Sequence, residues 1–350
     1  RYTERNKSGI DERLSDRMSG CTLCPRMCEA DRENGKTGFC GETGEIRAAR
    51  AALHMWEEPC ISGKEGSGTV FFTGCTLRCV FCQNHEIAGS KVGKVISEER
   101  LAEIFLELQG KGANNINLVT PTHFVPQIIR ALQSAKKQGM YLPVVYNTGG
   151  YERVETLKML DGLVDIYLPD FKYLNTDHAK KYSMAEDYPE VAKAALAEMV
   201  RQTREPTFDE CGMMKRGVIV RHLLLPGCLA DGKRVVKYLH ETYGNRIYMS
   251  LMSQYTPLES LDAVKYPELV VKHSYGKLYL NPVEPQSNRL SADGAAELVK
   301  NYAVDGIHLD DYFYPGSDFP DAETFTKYGG AFGNIEDWRR DNITNLIKEI

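Results

Sequence analysis

The segment TVFFTGCTLRCVFCQN, residues 69–84, joins a predicted strand directly to a loop with three cysteines. TVFFTG (69–74) is rich in β-branched and aromatic residues, which is typical of a strand. Cys75, Cys79 and Cys82 follow at C-x3-C-x2-C spacing. A closed structural metal site takes four protein ligands. Three thiols in one loop therefore leave one coordination position for another ligand.

Predicted strands and helices alternate along the chain after this segment. The strands are predicted at 69–74, 115–120, 143–148, 164–170, 217–225 and 246–254, and the helices at 97–109, 126–139, 152–160, 188–203 and 232–243. Ser97 is the expected N-cap of the first helix, and Gly139 is expected to close the second. Six β/α units predict an α/β fold with a parallel sheet, a partial (β/α)6 TIM-like barrel.

Polar segments follow several of these strands. They are the cysteine loop (75–82), TPTH (120–123), NTGGYE (147–152), DFK (170–172) and SQY (253–255). In barrels of β/α units, the loops after the C-terminal strand ends meet at one face, where chemistry collects. The sequence therefore predicts a functional pocket at that end of the sheet.

The residue types alone leave two interpretations of the cysteine loop. Soft thiolate ligands select iron–sulfur clusters or zinc. His85 lies three residues after Cys82, so the three cysteines with His85 would form a closed Cys3His zinc site. The position of the loop after a barrel-like strand favours an open iron–sulfur site, because structural zinc usually stabilises small domains.

Composition narrows the classes of function. The chain has 350 residues and a formal charge of −5, without the basic patch that nucleic-acid binding requires. It has no run of ~20 apolar residues, as a membrane span would need, and no signal-peptide pattern at its start. Ten cysteines in such a chain favour metal or cluster ligation in a reducing cytosol over disulfides. A cytoplasmic location is the expectation.

The cysteine spacing, with the aromatic Phe81 before the last cysteine, resembles the signature of the radical S-adenosylmethionine (radical SAM) superfamily. Other segments resemble the uncharacterised iron–sulfur proteins described as similar to pyruvate formate-lyase activating enzyme. These segments are CTLCPRMC (21–28), ISGKEGSGTVFFTGC (61–75), TPTHF (120–124), DIYLPDFKY (165–173), MMKRGVIVRHLLLPG (213–227) and SLMSQYTP (250–257). The resemblance covers roughly residues 10–270.

This resemblance implies an enzyme of the oxidoreductase type. The three cysteines would hold three irons of a [4Fe–4S] cluster, and S-adenosylmethionine would bind the fourth iron. Reductive cleavage would release a 5′-deoxyadenosyl radical that abstracts hydrogen from a substrate, with a glycyl-radical enzyme as the expected protein substrate. Flavodoxin or ferredoxin is the expected reductant.

The resemblance also implies residues that contact S-adenosylmethionine. Phe81 would lie near the adenine, Asn147 near the ribose or methionine part, and Asp170 with Lys172 would match the D-x-K contact of activating enzymes. Many superfamily members carry GGE after the second strand, where this chain has TPTHF. His123 or Thr120 is the expected replacement for that contact.

Four further cysteines form a second set, called here the N-terminal thiol group: Cys21, Cys24, Cys28 and Cys40. Four thiols make a closed site, which suits structural zinc or an auxiliary [4Fe–4S] cluster. Spacing does not distinguish the two. The group is predicted to define an N-terminal segment at 1–62, followed by a radical SAM core at 63–272.

The last segment, 273–350, resembles a different family, the glycoside-hydrolase-like (β/α)8 proteins, so the chain is predicted to be chimeric. GIHLDD (306–311) reads as a strand ending in Asp310 and Asp311. About 75 residues cannot build a ~250-residue barrel, so both aspartates are predicted to be non-catalytic. Two alternative functions follow from the two cysteine sets and the tail: a zinc-binding interaction module and a fragment of a carbohydrate-active enzyme.

Overall fold

The computed structural model describes residues 19–89, 92–225, 227–252, 270–272, 278–280, 314 and 319–349, with single helical positions between 289 and 300. Asp310, Asp311 and SQY (253–255) lie outside the described residues. Contacts divide the chain into two units, residues 1–222 with 238–249 and residues 223–237 with 250–350. All predicted site residues belong to the first unit.

The strands form one large sheet and one small pair. The strands are β1 Ile46–His54, β2 Ser67–Phe72, β3 Lys94–Ile96, β4 Ile116–Val119, β5 Val144–Thr148, β6 Ile166–Pro169, β7 Thr207–Phe208, β8 Met214–Leu223, β9 Tyr248–Met252, β10 Val270–Lys272 and β11 Leu278–Leu280. The large sheet has the order β3-β1-β2-β4-β5-β6-β8-β7, with β9 also paired to β8. The neighbours β2, β4, β5, β6 and β8 run parallel.

Helices separate the parallel strands. They are α1 Pro59–Ser62, α2 His85–Ala88, α3 Glu98–Gly110, α4 Val125–Lys137, α5 Val154–Lys158, α6 Thr176–Ser183, α7 Tyr188–Thr203, α8 Leu229–Tyr243, α9 Ala322–Tyr328 and α10 Ile335–Glu349. None of the helices within the described ranges has the length and apolar character that crossing a membrane requires. The predicted α/β class with a mostly parallel sheet is confirmed.

Most predicted elements agree with the structure to within a few residues. Ser97 caps α3, since its hydroxyl oxygen accepts a hydrogen bond from the backbone N–H of Arg100. The helix predicted at 152–160 is shorter, Val154–Lys158, with the Glu152 side chain engaged elsewhere. The last two positions of the strand predicted at 246–254 lie outside the described residues.

Strand β1 was not predicted from the sequence. Its sequence, IRAARAALH, consists mostly of alanine and arginine, residues with little or no strand preference. It pairs antiparallel with β2 on one side and β3 on the other. Pairing with two neighbours, and not local propensity, therefore explains this strand.

One face of the parallel strands changes from apolar to polar along each strand. This surface, called here the site face, carries Val145 then Asn147 on β5, Ile166 and Leu168 then Asp170 on β6, and Ile219 then Arg221 on β8. Side chains two apart on a strand share a face. The apolar members pack with Ile61 of α1 into a buried cluster, so the polar members gather towards the C-terminal strand ends.

The second unit contains its own small packed cluster. Trp338 and Phe319 are buried, and the rings of Phe325 and Trp338 lie 5.1 Å apart. Arg339 donates to the buried Asp321 carboxylate, with Nε 3.0 Å from Oδ2. A cluster of this size holds α9 and α10 together.

Candidate active site

The cysteine loop follows β2 and is held by backbone and side-chain hydrogen bonds. The N–H of Leu77 donates to the sulfur of Cys75 over 3.3 Å, and the N–H of Val80 donates to the carbonyl of Tyr182 over 2.9 Å. Gly74, just before the loop, has a φ of +80°, a conformation that glycine adopts without strain. The loop is therefore fixed in place before any ligand binds.

The three thiols lie close enough to influence one another. Burial first, and then the neighbouring Cys79, raises the pKa of Cys75 to about 12. Burial and Cys79 also raise the pKa of Cys82. Thiolates are the form that binds metal, so binding here would release protons. Three converging thiols in a partly enclosed loop suit the cysteine ligation that iron–sulfur clusters require.

His85 does not share the enclosure of the cysteines. It is exposed and begins the short helix α2, where its backbone N–H donates to the carbonyl of Cys82 over 3.2 Å. Across the described ranges, no three Cys, His, Asp or Glu side chains are placed to hold a single metal ion. The exposed position of His85 gives no support to the closed Cys3His interpretation.

Asp170 and Lys172 form a partly buried ion pair beside the cysteine loop. Lys172 Nζ lies 2.5 Å from Asp170 Oδ2, and the two side chains are only 15% and 20% exposed. Lys172 Nζ also lies 5.9 Å from the ring centroid of Phe81, whose side chain is buried. The pair is therefore enclosed and not a surface salt bridge, and Phe81 lies next to it.

Arg221 extends this pair into a network across the site face. Its Nε lies 3.1 Å from Asp170 Oδ1, and its Nη2 donates to Asn147 Oδ1 over 2.7 Å. Although burial opposes ionisation of Asp170, the charges of Lys172 and Arg221 outweigh it and lower the pKa of this carboxyl. Asp170 is therefore an anion at neutral pH.

Glu57 approaches the same network from the turn before α1. Its Oε1 accepts hydrogen bonds from the side-chain amides of Asn117 at 3.2 Å and Asn147 at 3.3 Å. Its Oε2 lies 3.4 Å from Arg221 Nη1. Burial raises the pKa of Glu57 to about 7, against the opposing charge of Arg221. Near neutral pH this carboxyl can accept or release a proton.

Two acceptor atoms close to this network have no hydrogen-bond partner among the described residues. They are Asn117 Oδ1 and Glu58 Oε2, both buried. A buried acceptor without a partner costs roughly 1–3 kcal/mol of folding free energy. A ligand or water that donates to them would remove this cost.

His123 and Thr120 lie after β4 at the predicted replacement for the GGE contact. His123 is buried, and its Nε2 lies 2.6 Å from the carbonyl oxygen of Thr73. Burial lowers the pKa of His123 to about 3, so the ring is neutral. Thr120 has a φ of +57°, which is rare for a β-branched residue. His123 thus contacts the end of β2 and not the Asp170 network.

The N-terminal thiol group is also brought together. A Cβ atom at Gly38 would lie 3.1 Å from the sulfur of Cys28 and 3.5 Å from that of Cys40. Burial, and then Cys40 and Cys21, raise the pKa of Cys24 to about 12. Arg32 Nη1 lies 3.7 Å from the sulfur of Cys21. Cys28 and Cys40 therefore flank Gly38, and Cys21 and Cys40 act on Cys24, although no three of these described thiols are placed to hold a single metal ion.

Hydrogen bonds and a stacked ring connect this group to the cysteine loop. The N–H of Cys75 donates to the carbonyl of Cys40 over 3.3 Å. Arg26 Nε donates to the carbonyl of Thr76 over 2.9 Å, and the guanidinium of Arg78 in the cysteine loop lies 4.7 Å from the ring centroid of Phe39. The two thiol sets are therefore adjacent in the fold.

Sequence reasoning missed Glu57, Asn117, Arg221 and Ser183. Asn117 and Arg221 each interrupt an apolar strand, INLV and GVIVRHL. A polar residue inside a buried strand is unusual, so both positions could have been identified as functional candidates from the sequence. Glu57 and Ser183 gave no such signal, since they lie in segments of mixed polarity.

Glu152 provides a pH-dependent prediction. This buried carboxylate accepts from Thr122 Oγ1 over 2.5 Å and from the Thr148 hydroxyl, and burial raises its pKa to about 7. In the unfolded chain the Glu152 carboxyl ionises near pH 4.5, whereas in the folded protein it keeps its proton up to about pH 7. The free energy of unfolding therefore falls by about 3 kcal/mol as pH rises from 4.5 to 7. Glu152→Gln cannot ionise and should not lose this stability. We therefore expect the stability of the variant relative to wild type to rise between pH 4.5 and 7.

Urea unfolding at several pH values measures this difference. The exposed Glu205→Gln is the matched control, and its stability relative to wild type should stay constant with pH. A parallel pH dependence for wild type and Glu152→Gln would contradict the prediction.

Comparison with family models confirms the predicted resemblance to two families. Residues 69–216 match the model described as Radical SAM superfamily, and residues 254–350 match the model described as Glycosyl hydrolase-like 10. The first match contains the cysteine loop, Asn147, Asp170 and Lys172. It supports a radical SAM enzyme that uses a [4Fe–4S] cluster and S-adenosylmethionine.

Curated relatives match either most of this chain or a short part of it. Uncharacterized protein MJ0674 of Methanocaldococcus jannaschii is 27% identical over 301 residues, covering 83% of this chain and 77% of that protein. Glycosyl hydrolase YngK of Bacillus subtilis is 44% identical over 98 residues, covering 26% of this chain and 19% of YngK. Glycosyl hydrolase DigH of Escherichia coli is 42% identical over 83 residues, again 19% of its length. The tail thus spans about a fifth of these hydrolases.

Two solved structures show a limited likeness. Streptococcus suis SuiB aligns with a TM-score of 0.42 at 11% identity, covering 70% of this chain and 48% of SuiB. A radical SAM methyltransferase from Sphaerobacter thermophilus aligns with a TM-score of 0.39 at 15% identity, covering 56% of this chain and 58% of that chain.

Proposed function

Because residues 69–216 match the radical SAM superfamily, we propose that this protein reductively cleaves S-adenosylmethionine to start hydrogen abstraction from a substrate. The observation that carries the proposal is the cysteine loop at the end of β2, beside the Asp170–Lys172 pair. When bound, a [4Fe–4S] cluster would supply the electron and one open iron for S-adenosylmethionine. The protein supplies ligation, orientation and exclusion of water.

The three cysteines would hold the cluster as thiolates. Leu77 donates its N–H to the sulfur of Cys75, and hydrogen bonds of this kind adjust a cluster's reduction potential. Lys172 carries a positive charge, and the nearby Cys79 contributes to the raised pKa of Lys172. This charge favours the anionic thiolates over the protonated thiols.

The charged pair suits the two charged ends of an amino acid. Asp170 is an anion and Lys172 a cation, and S-adenosylmethionine carries an ammonium and a carboxylate on its methionine part. We propose that Asp170 and Lys172 bind these groups, that Asn147 contacts the ribose or methionine part, and that Phe81 packs on the adenine. His123 or Thr120 would take the place of the superfamily's GGE contact.

The site face beneath this pair would hold the substrate or orient it. Asn117 Oδ1 and Glu58 Oε2, which have no hydrogen-bond partner in the described part of the chain, would accept hydrogen bonds from a bound polar group. Glu57 would hold or release a proton near neutral pH. Activation of a glycyl-radical enzyme is the proposed role, with flavodoxin or ferredoxin in the cytosol as reductant.

Anaerobic reconstitution tests the radical function. The protein is loaded with iron and sulfide and then incubated with S-adenosylmethionine and dithionite. We expect a [4Fe–4S] spectrum and production of 5′-deoxyadenosine and methionine. Uptake of zinc alone, without 5′-deoxyadenosine, would instead support the zinc-binding interaction module.

We also propose that the N-terminal thiol group holds a metal centre, either structural zinc or an auxiliary [4Fe–4S] cluster. Its support is that Cys28 and Cys40 flank Gly38 and that Cys21 and Cys40 act on the buried Cys24. Replacing Cys24 with alanine should remove this centre and leave the cysteine loop loaded. Metal analysis decides the type: iron falls by one cluster per chain if the centre is iron–sulfur, whereas zinc falls at constant iron if it is zinc. No change in either metal would contradict the site.

The tail resembles only part of a glycosyl hydrolase, and we propose that it has no hydrolase activity. Residues 254–350 match about a fifth of YngK and DigH. Glycoside hydrolysis normally needs two carboxylates held across the sugar by a complete active site. The domain division 1–62, 63–272 and 273–350 remains our proposal from the sequence, and the match to the hydrolase-like family begins earlier, at residue 254.

A further inference from the structure

Ser183 places a hydroxyl group against one sulfur of the cysteine loop. It is the last residue of α6 and is fully buried. Its Oγ lies 3.0 Å from the sulfur of Cys79 and 3.0 Å from the phenol oxygen of Tyr173. Tyr173 is 1% exposed. The three side chains therefore form a continuous buried series from phenol to hydroxyl to sulfur.

The chemistry of a metal-bound cysteine fixes the direction of donation in this series. A cysteine that binds iron is a thiolate, which has no proton and only accepts hydrogen bonds. The single proton of Ser183 must therefore point to Cys79 if this contact is a hydrogen bond. The remaining contact then requires Tyr173 to donate its O–H to Ser183 Oγ.

The backbone already holds the loop without this hydroxyl. Val80 donates its N–H to the carbonyl of Tyr182, and Arg26 donates to the carbonyls of Ser183 and Met184 over 3.3 and 2.5 Å. None of these bonds involves the Ser183 side chain. Its hydroxyl is thus available for a role other than holding the loop.

We propose that Ser183, assisted by Tyr173, raises the reduction potential of the cluster held by the cysteine loop through a hydrogen bond to Cys79. The proposal rests on the proposed radical SAM function. Ser183 is a positioning residue, since it acts through a ligand and not on the substrate. Residues 173 and 183 lie outside the cysteine loop, so no motif in that loop indicates them.

The physical reason is the change of charge on reduction. A reduced cluster carries one more negative charge, and a hydrogen bond to a ligand sulfur stabilises that state more than the oxidised one. Tyr173 strengthens the donation, because a hydroxyl that accepts a hydrogen bond becomes a better donor. A higher potential makes the cluster easier to reduce by a biological reductant.

The test is a redox titration of the reconstituted full-length protein without S-adenosylmethionine, followed by electron paramagnetic resonance of the reduced cluster. In Ser183→Ala we expect the ratio of reduced to oxidised cluster at a fixed potential to fall about tenfold. For a one-electron couple this equals a fall of about 59 mV in the reduction potential of the cluster. Tyr173→Phe should shift the potential in the same direction by a smaller amount. Ser183→Thr, which keeps the hydroxyl, should titrate like wild type.

Controls separate this inference from the proposed function. Thr176→Ala removes an exposed hydroxyl from the same helix and should leave the potential unchanged. If wild type forms no [4Fe–4S] cluster, the proposed function fails. If the cluster forms but Ser183→Ala keeps or raises the potential, this inference alone is wrong. Should Ser183→Ala fail to take up a cluster, an unchanged potential in Tyr173→Phe overturns the inference, and a lowered one supports it.

Discussion

Replacing Cys75 with alanine should reduce cleavage of S-adenosylmethionine to the level seen without enzyme. Cys75 is one of only three thiols in the cysteine loop, and with two ligands the cluster would lose a third of its protein attachment. The backbone contacts of residue 75 survive the change, because its N–H donates to the carbonyl of Cys40 and alanine keeps that group. The loss should therefore come from ligation and not from misfolding.

The measurement is 5′-deoxyadenosine formed per chain after anaerobic reconstitution, together with iron content. Cys211→Ala is the matched control, because Cys211 is exposed and its backbone N–H, which donates to Asp209 Oδ1, survives the change. This control should retain full activity. The N-terminal thiol group should keep its metal in both variants. Activity remaining in Cys75→Ala would exclude Cys75 from the site.

Replacing Arg221 with alanine should cause the largest loss of stability among the residues of the site face. The change leaves the carboxylates of Asp170 and Glu57 without the cation that now lies 3.1 and 3.4 Å from them. Removing one partner of a buried ion pair typically costs 3–5 kcal/mol. Since the Arg221 side chain is 20% exposed, we expect the lower end, about 3 kcal/mol.

The stability lost by Arg221→Ala should be larger at higher pH. The pKa of Glu57, about 7 with Arg221 present, should rise further without it. Below about pH 7 Glu57 is protonated in both folded proteins. The extra loss of stability in the variant therefore grows as pH rises through about 7, where Glu57 ionises in folded wild type but not yet in the folded variant. Urea unfolding of the purified chain, followed by circular dichroism, should show a larger difference from wild type at the higher pH.

Arg201→Ala is the matched control for Arg221. Arg201 also contacts two carboxylates, Asp161 and Glu198, with Nη2 2.8 Å from each, but its side chain is 55% exposed. Solvent screens the pair with Asp161, which is 47% exposed, and the buried Glu198 keeps a hydrogen bond from Gln202. This variant should therefore lose only a small fraction of what Arg221→Ala loses. Equal losses in the two variants would contradict the assignment of Arg221 as the buried centre of the network.

Local patterns predicted the elements that depend on local chemistry. The cap at Ser97, the helix at 188–203 and the parallel strands follow from residue spacing and from β-branched runs. Strand β1 could not be predicted, since pairing with β2 and β3 and not its own composition stabilises it. Helix α6, capped by Asn175, was not predicted either, although it carries Ser183.

The residues of the candidate site likewise include some that the sequence indicated and some that it did not. The resemblance to activating enzymes indicated Asp170 and Lys172 through their D-x-K contact, and the structure pairs the two side chains. His123 was indicated because TPTHF stands where many members of the resembled superfamily carry GGE. Its ring contacts the carbonyl of Thr73, and its role as a cofactor contact stays a prediction. Glu57 joins the network only because α1 packs its Ile61 against the apolar end of the site face.

The sequence by itself determined the α/β order of the elements and the presence of three closely spaced thiols, Cys75, Cys79 and Cys82, in one loop. Both are properties of neighbouring residues, so spacing and periodicity suffice to identify them. Only the tertiary structure decided which distant groups surround that loop. Ser183 reaches Cys79 across 104 positions, and Arg221 reaches Glu57 across 164. Such contacts depend on how strands pair and helices pack, which no local pattern specifies.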